Sequence, residues 1–268
     1  MLNQPQFVYS YTIPYYINEH GESLEQFVSE KTYDLFLAAQ THMNNTLFVI
    51  HGDLHPHGPQ YGEVTDVLFD RDKVLLILGT KDLVEYTNEI LDISIAHELV
   101  KITRFSANEF FHFTYRSSTP ESIQVFVDDF QHVIKSISIS KHLNKHGYRI
   151  EEREQQFFKD LIANKQSLSF DDNVYNDERF IFIVSRLLYL KYINSDMFSS
   201  IKQQLHTTLP MLFIYVHEID NCIKKYNLST NKGQQKALLR LFQEKNIQKE
   251  IVLLKIDDVP HFTINIQQ

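Results

Sequence analysis

The stretches FVIHGDLHPHG (48–58), DVLFDRDKVLLILGTKDLVEY (66–86) and LDISIAHEL (91–99) decide how this chain is read. Residues 46–50 are apolar and β-branched, which predicts a strand ending at His51. A polar loop over 52–65 follows. Residues 67–69 and 74–78 are two more apolar runs, and Asp70–Lys73 between them reads as a hairpin turn, since Asp side chains bond the turn backbone locally. Asp92 then stands among Ile90, Leu91, Ile93 and Ile95 on a segment with helical spacing.

Upstream, residues 7–17 are aromatic and β-branched and predict an extended segment. Gly21 punctuates, Ser23 is placed as a helix cap with Gln26 three residues on, and apolar residues from Leu24 to Leu37 predict a helix to about His42, ended by Asn44-Asn45. Downstream of Leu83 the chain reads as almost wholly helical, over 84–103, 106–116, 120–145, 150–164, 178–193, 196–207, 210–227 and 232–247. Pro120 suits a first helical position. Residues 251–256 and 262–266, flanking 257–260, predict a terminal hairpin. The expected fold class is α+β, mostly helical, with small β-hairpins.

Length and composition narrow the classes. The chain has 268 residues, 43% apolar and 22% charged, enough for a buried core and unlike a disordered chain. Net charge is -8, which excludes a basic nucleic-acid footprint, so no nucleic-acid partner is expected. The lone Cys222 excludes a disulfide framework or a cysteine zinc site. The longest apolar run, 180–193, carries Arg186 and Lys191 and is too short for a bilayer, so no membrane partner is expected. The N-terminal residues do not read as a signal peptide, and a cytoplasmic location is the expectation. Charge is uneven: residues 1–150 hold 11 basic and 19 acidic residues, residues 151–268 hold 15 of each. That step, with Gly147 beside it, predicts two regions, 1–147 and 148–268, the second a helical extension ending in the hairpin.

A strand ending in H-G-D-L-H-P, an apolar hairpin and a helix carrying L-D-x-x-x-A together resemble the catalytic core of the aminoglycoside phosphotransferase and choline kinase family. The likeness covers about residues 15–145. It implies a kinase-like C-terminal lobe and an ATP-dependent small-molecule kinase using magnesium. By that resemblance Asp53 is the catalytic base that accepts the substrate hydroxyl proton, and His51 and Asp92 support the catalytic loop. Asp66 and Asp82 are the metal-ligand candidates.

Three departures bear on activity. The loop after Pro56 is longer than the family's. Where the family has its main magnesium ligand, the aligned residue is Gly79, which has no side-chain oxygen. A phosphate-covering glycine loop and strand lysine are absent upstream, so the N-terminal lobe is incomplete. Phosphoryl transfer depends on positioning and charge neutralisation, so these losses predict weak or lost catalysis. The alternative is a non-catalytic kinase-like binding or scaffold protein, with a small-molecule or protein partner. A remote alternative is a metal-binding hydrolase using His51, His55 and His57. The helical His97-Glu98-Leu99-Val100-Lys101 lacks the second histidine of a zinc-protease helix, and His217–Asn221 fails likewise. Phe180, Phe182, Tyr189 and Tyr192 are expected in the core, and Cys222 as a small buried residue.

Overall fold

The computed structural model describes residues 8–43, 46–54, 65–69, 73–79, 87–107, 109, 111–170 and 177–254. The chain forms two compact units: residues 1–110 with 256–268, and residues 111–255. No helix among the described residues is long and apolar enough to cross a membrane.

Unit 1 contains β1 (Tyr9–Tyr16), β2 (Ser23–Ser29), α1 (Glu30–His42), β3 (Leu47–His51), a 3-10 turn (Gly52–Leu54), β4 (Thr65–Phe69), β5 (Val74–Leu78) and α2 (Asn88–Ser106). The strands make one mixed sheet in the order β2-β1-β3-β5-β4, larger than the small hairpins expected. β1, β3 and β5 are parallel, while β2 and β4 run antiparallel at the two edges. Every residue of β5, VLLIL, is buried, as a strand covered on both faces requires. One face carries Ile13, Val49, Leu76 and Leu78 against Phe36 of α1 and Leu91, Ile95 and Leu99 of α2. The other gathers Ile50, Leu75 and Ile77 with Phe48, Leu54 and Leu68.

The helix expected from Ser23 begins seven residues later. Residues 23–29 pair with β1 instead, and Ser29 caps α1, its Oγ accepting the Thr32 N–H at 3.3 Å. The helical spacing of Leu24, Phe27 and Val28 was misleading: Leu24 and Phe27 are both 51% exposed, and only Val28 enters the core. Hairpin pairing satisfies this backbone where burial of a helical face would have gained little.

α2 crosses the sheet. Near its start Asp92 bonds Ser29 at the end of β2, and near its end Phe105 stacks on Phe69 of β4 at 4.3 Å. Thirteen helical residues span about 20 Å, and four strand spacings about 19 Å. The helix length therefore matches the full width of the sheet.

Unit 2 contains β6 (His112–Tyr115), α3 (Glu121–Lys145), α4 (Glu152–Ala163), α5 (Glu178–Ile193), α6 (Ser195–Leu205), α7 (Pro210–Ile223), α8 (Asn231–Glu244) and β7 (Ile251–Leu254). α3 packs on α5 and α8, α5 also on α6 and α7, and α4 on α6. The helix expected over 106–116 is replaced by β6, which pairs antiparallel with β7. A buried amide decides this: Gln131 of α3 accepts the Phe113 N–H at 2.8 Å and donates to the Phe113 carbonyl at 3.1 Å, satisfying both backbone groups of an extended residue. The Phe113 ring packs edge-on against Phe242 at 5.3 Å. β7 thus has its partner before α3, and residues 262–266, expected to pair with it, lie outside the described residues.

The boundary expected at 147/148 falls inside unit 2, and the division lies at 110/111. Gly147 ends a helix rather than a domain. At φ 81°, it lets Tyr148 N–H reach the Leu143 carbonyl at 3.2 Å and its own N–H reach Asn144 at 3.0 Å, the double bond of a Schellman cap. The packing of α3 on α5 spans that position. Phe180 and Tyr189 are buried as expected, but Phe182 is 37% exposed and Cys222 is half-buried.

A second glycine marks a close approach. A Cβ on Gly233, in the first turn of α8, would stand 1.9 Å from the Asn227 carbonyl oxygen. Gly233→Ala must displace the 227–230 turn or the helix start, and is expected to destabilise unit 2 by about 2 kcal/mol in a urea titration followed by circular dichroism.

Candidate functional site at the carboxyl edge of the sheet

Parallel β1, β3 and β5 send the residues that follow them to one edge of the sheet, where open α/β sheets hold their ligands. Tyr16 lies beside Ile50, and His51 beside Leu78. Asn18, Gly52 and Gly79 therefore leave the sheet as neighbours, and the Gly52 N–H donates to the Gly79 carbonyl at 3.3 Å. The β1–β2 turn is held by Asn18, whose Oδ1 accepts the His20 and Glu22 N–H groups at 3.0 and 3.2 Å and whose Nδ2 donates to Glu22 at 2.6 Å.

Asp53 sits in the 3-10 turn immediately after β3 and its side chain is 51% exposed. Its backbone N–H donates to His51 Nδ1 at 3.2 Å, and its Oδ2 is 3.4 Å from the same nitrogen. One ring nitrogen of His51 thus meets both the backbone and the carboxylate of Asp53. The His51 ring, 18% exposed, stacks on Tyr15. The turn is thus anchored through an imidazole wedged on the sheet, with the Asp53 carboxylate offered to solvent.

Asp66 enters the same edge from β4, opposite Ile77. Its Oδ1 accepts the N–H of Val67 at 2.7 Å. Burial pushes its carboxyl up, the Lys101 ammonium opposes this, and the Glu98 carboxylate adds to it. Lys101 Nζ lies 3.0 and 2.7 Å from the two oxygens of buried Glu98, and His97 Nδ1 is 3.1 Å from the first of them. Burial alone would raise Glu98, but Lys101 and His97 outweigh it and hold this carboxyl down at about 2. The motif that failed as a zinc helix is an ion pair: Lys101, at i+3, neutralises Glu98.

Asp92 is not at this edge. Its two oxygens accept the Ser29 N–H and Oγ–H, both at 2.8 Å, so the support expected for the catalytic loop goes to the β2–α1 junction at the opposite end of the strands. Burial pushes its carboxyl up against these bonds. The helical spacing from Leu24 places Ser29 inside a helix; a serine three positions before Thr32 is the signal for the cap. His55, His57 and Asp82 lie outside the described residues.

The described groups do not fit magnesium. Asp66 is half-buried with one oxygen committed to the backbone, and Gly79 adds no side-chain oxygen. Among the described residues no group of three or more His, Cys, Asp or Glu could hold a metal ion. Comparison with family models, curated proteins and solved structures finds no match to the chain.

Glu98→Gln breaks a buried ion pair and is expected to destabilise the protein by about 3 kcal/mol at pH 7. Because the folded carboxyl titrates below its unfolded value, that stability is present above about pH 4.5 and is lost as the pH falls toward 2. Denaturant midpoints of the two proteins should therefore converge on acidification. At the other end of α2, a double-mutant cycle of Ser29→Ala and Asp92→Asn should give a coupling energy of about 1–2 kcal/mol.

Proposed function

We propose that unit 1 is a phosphotransferase-like unit that binds a hydroxyl-bearing small molecule at the carboxyl edge of its sheet, with phosphoryl transfer weak or lost. The observation that carries this reading is the setting of Asp53: a half-exposed carboxylate at the end of a parallel strand, on a turn whose geometry His51 fixes. A carboxylate so held accepts a hydrogen bond from a substrate hydroxyl without reorganising, as a base of this type requires. His51 Nδ1 lies against both the Asp53 N–H and its carboxylate. Its contribution is orientation.

The loss of transfer rests on charge. Moving a phosphoryl group demands neutralisation of its oxygens by metal or cation. At this edge the neighbour of Gly52 is Gly79, and Asp66 is turned to its own backbone and to the Lys101–Glu98 region. ATP with magnesium remains the cofactor that the likeness of HGDLHP and the following hairpin brings to mind, with Asp82 the carboxylate left to meet it. A non-catalytic kinase-like binding protein with a small-molecule or protein partner is the limiting case of the same reading.

Thermal shift of the full chain tests it, using kanamycin, choline and inositol at millimolar concentration, each with and without MgATP. A ligand at ten times its Kd stabilises by about 1.4 kcal/mol, a shift of about 2–4 °C. Asp53→Asn should abolish the shift for the hydroxylated ligand, and phosphate transfer should stay near background. No shift with any ligand would overturn the binding reading, while turnover at ordinary kinase rates would overturn the loss of transfer.

A further inference from the structure

We propose that the contact between α3 and α5 in unit 2 is a pH-responsive joint, in which Asp129 takes up a proton on mild acidification and the two helices then hold together more tightly. The inference rests on a buried oxygen. Asp129 Oδ2 has no solvent access and no hydrogen-bond partner among the described residues. A carboxylate in that state is costly when ionised, and neutralisation is the direct relief.

The surrounding charges make this half-buried acid unlike the buried acids of the unit. Glu154 of α4, 3% exposed, has Arg186 at 2.9 Å. Asp220 of α7 has Lys191 at 2.7 Å and the Tyr192 hydroxyl at 2.9 Å. Asp129 faces three charged groups, Arg186 and Glu178 from α5 and Asp128 on its own helix. Arg186 is already committed to Glu154, Glu178 and Asp128 repel, and Asp128 in turn is engaged by the Tyr115 hydroxyl at 3.0 Å. The two helices thus bring a second and a third negative charge toward a carboxylate whose one cation among the described residues, Arg186, is bonded to Glu154. Burial pushes Asp129 up to about 6, with Arg186 pulling down and Asp128 and Glu178 pushing further up.

The sign follows from linkage. The folded state holds this proton more tightly than the unfolded chain, so the contribution of Asp129 to stability is full at low pH and lost as the pH rises through about 6. An Asn at this position keeps the shape without the charge.

Hydrogen exchange of the full-length protein, resolved to peptides of α3 and α5 and corrected for intrinsic rates, provides the test at pH 5.0 and 7.5. The protection of α5 in the wild type, divided by that in Asp129→Asn, should fall about tenfold between the two pH values, the change a carboxyl shifted from 3.8 to about 6 supplies. Asp128→Asn should leave most of this response in place. A ratio that does not change with pH, or a response that Asp128→Asn removes as completely, would overturn the proposal. Should Asp129→Asn fail to fold, carboxyl carbon NMR of the wild type decides: a midpoint above 5 for Asp129 supports the joint, and one below 5 sinks it.

Discussion

Val74–Leu78 gives none of its five side chains to solvent, and the organisation of unit 1 depends on that constraint. A strand buried on both faces must lie inside a sheet, so β3 pairs along one side of it and β4 along the other. The β3 pairing is parallel, so the residues after β3 and β5 emerge together. The Gly52–Gly79 bond is the direct result, and Asp53 is held at the sheet edge for the same reason. On one face the burial is completed by α1 and by α2, which runs the width of the sheet. The candidate site is therefore a by-product of how a five-residue apolar strand avoids water.

That geometry also explains how charge is distributed along α2. A helix whose residues 91–100 are all buried has no solvated face on which to place Asp92 or Glu98. Each is answered by a donor packed against it. Ser29 meets Asp92 with a backbone and a hydroxyl donor, and Lys101 meets Glu98 from one turn away. The first answer ties the helix to β2 and the second balances charge within the helix itself. Both acids have donors within hydrogen-bond reach, which is how a fully buried helix can carry acids at all.

The strands and helices whose patterns carry a single meaning were legible in the sequence. β3, β5, α3 and α5 were read from apolar runs or periodicity with ends within two residues of those observed. β2 and β6 were not, and for one reason. Each is a short segment whose apolar spacing also fits a helix, and each is fixed by a distant partner: β1 across the turn that Asn18 holds, and Gln131 across 18 residues. The placement of Asp53 and His51 at a strand end followed by a turn was legible because that is local information. The role of Asp92 was not, because its partner Ser29 is 63 residues away and was itself read as helical.

The acids of the two units show what the charge totals conceal. Residues 1–150 carry the whole net charge, which invites a division of the molecule there. Yet α3, inside that segment, packs on α5 beyond it, and the acids Asp128 and Asp129 act on a contact shared with Glu178 and Arg186. Packing in unit 2 thus joins an acid-rich stretch to a charge-balanced one. The balance along α5 is consumed inside its own half, where Arg186 serves Glu154 and Lys191 serves Asp220. Among the described residues, Arg186 is the α5 cation that acts on Asp129. The uneven charge read in the sequence therefore meets, in the fold, a helix contact at which Asp129 faces Asp128 and Glu178 and, among the described residues, the one cation Arg186.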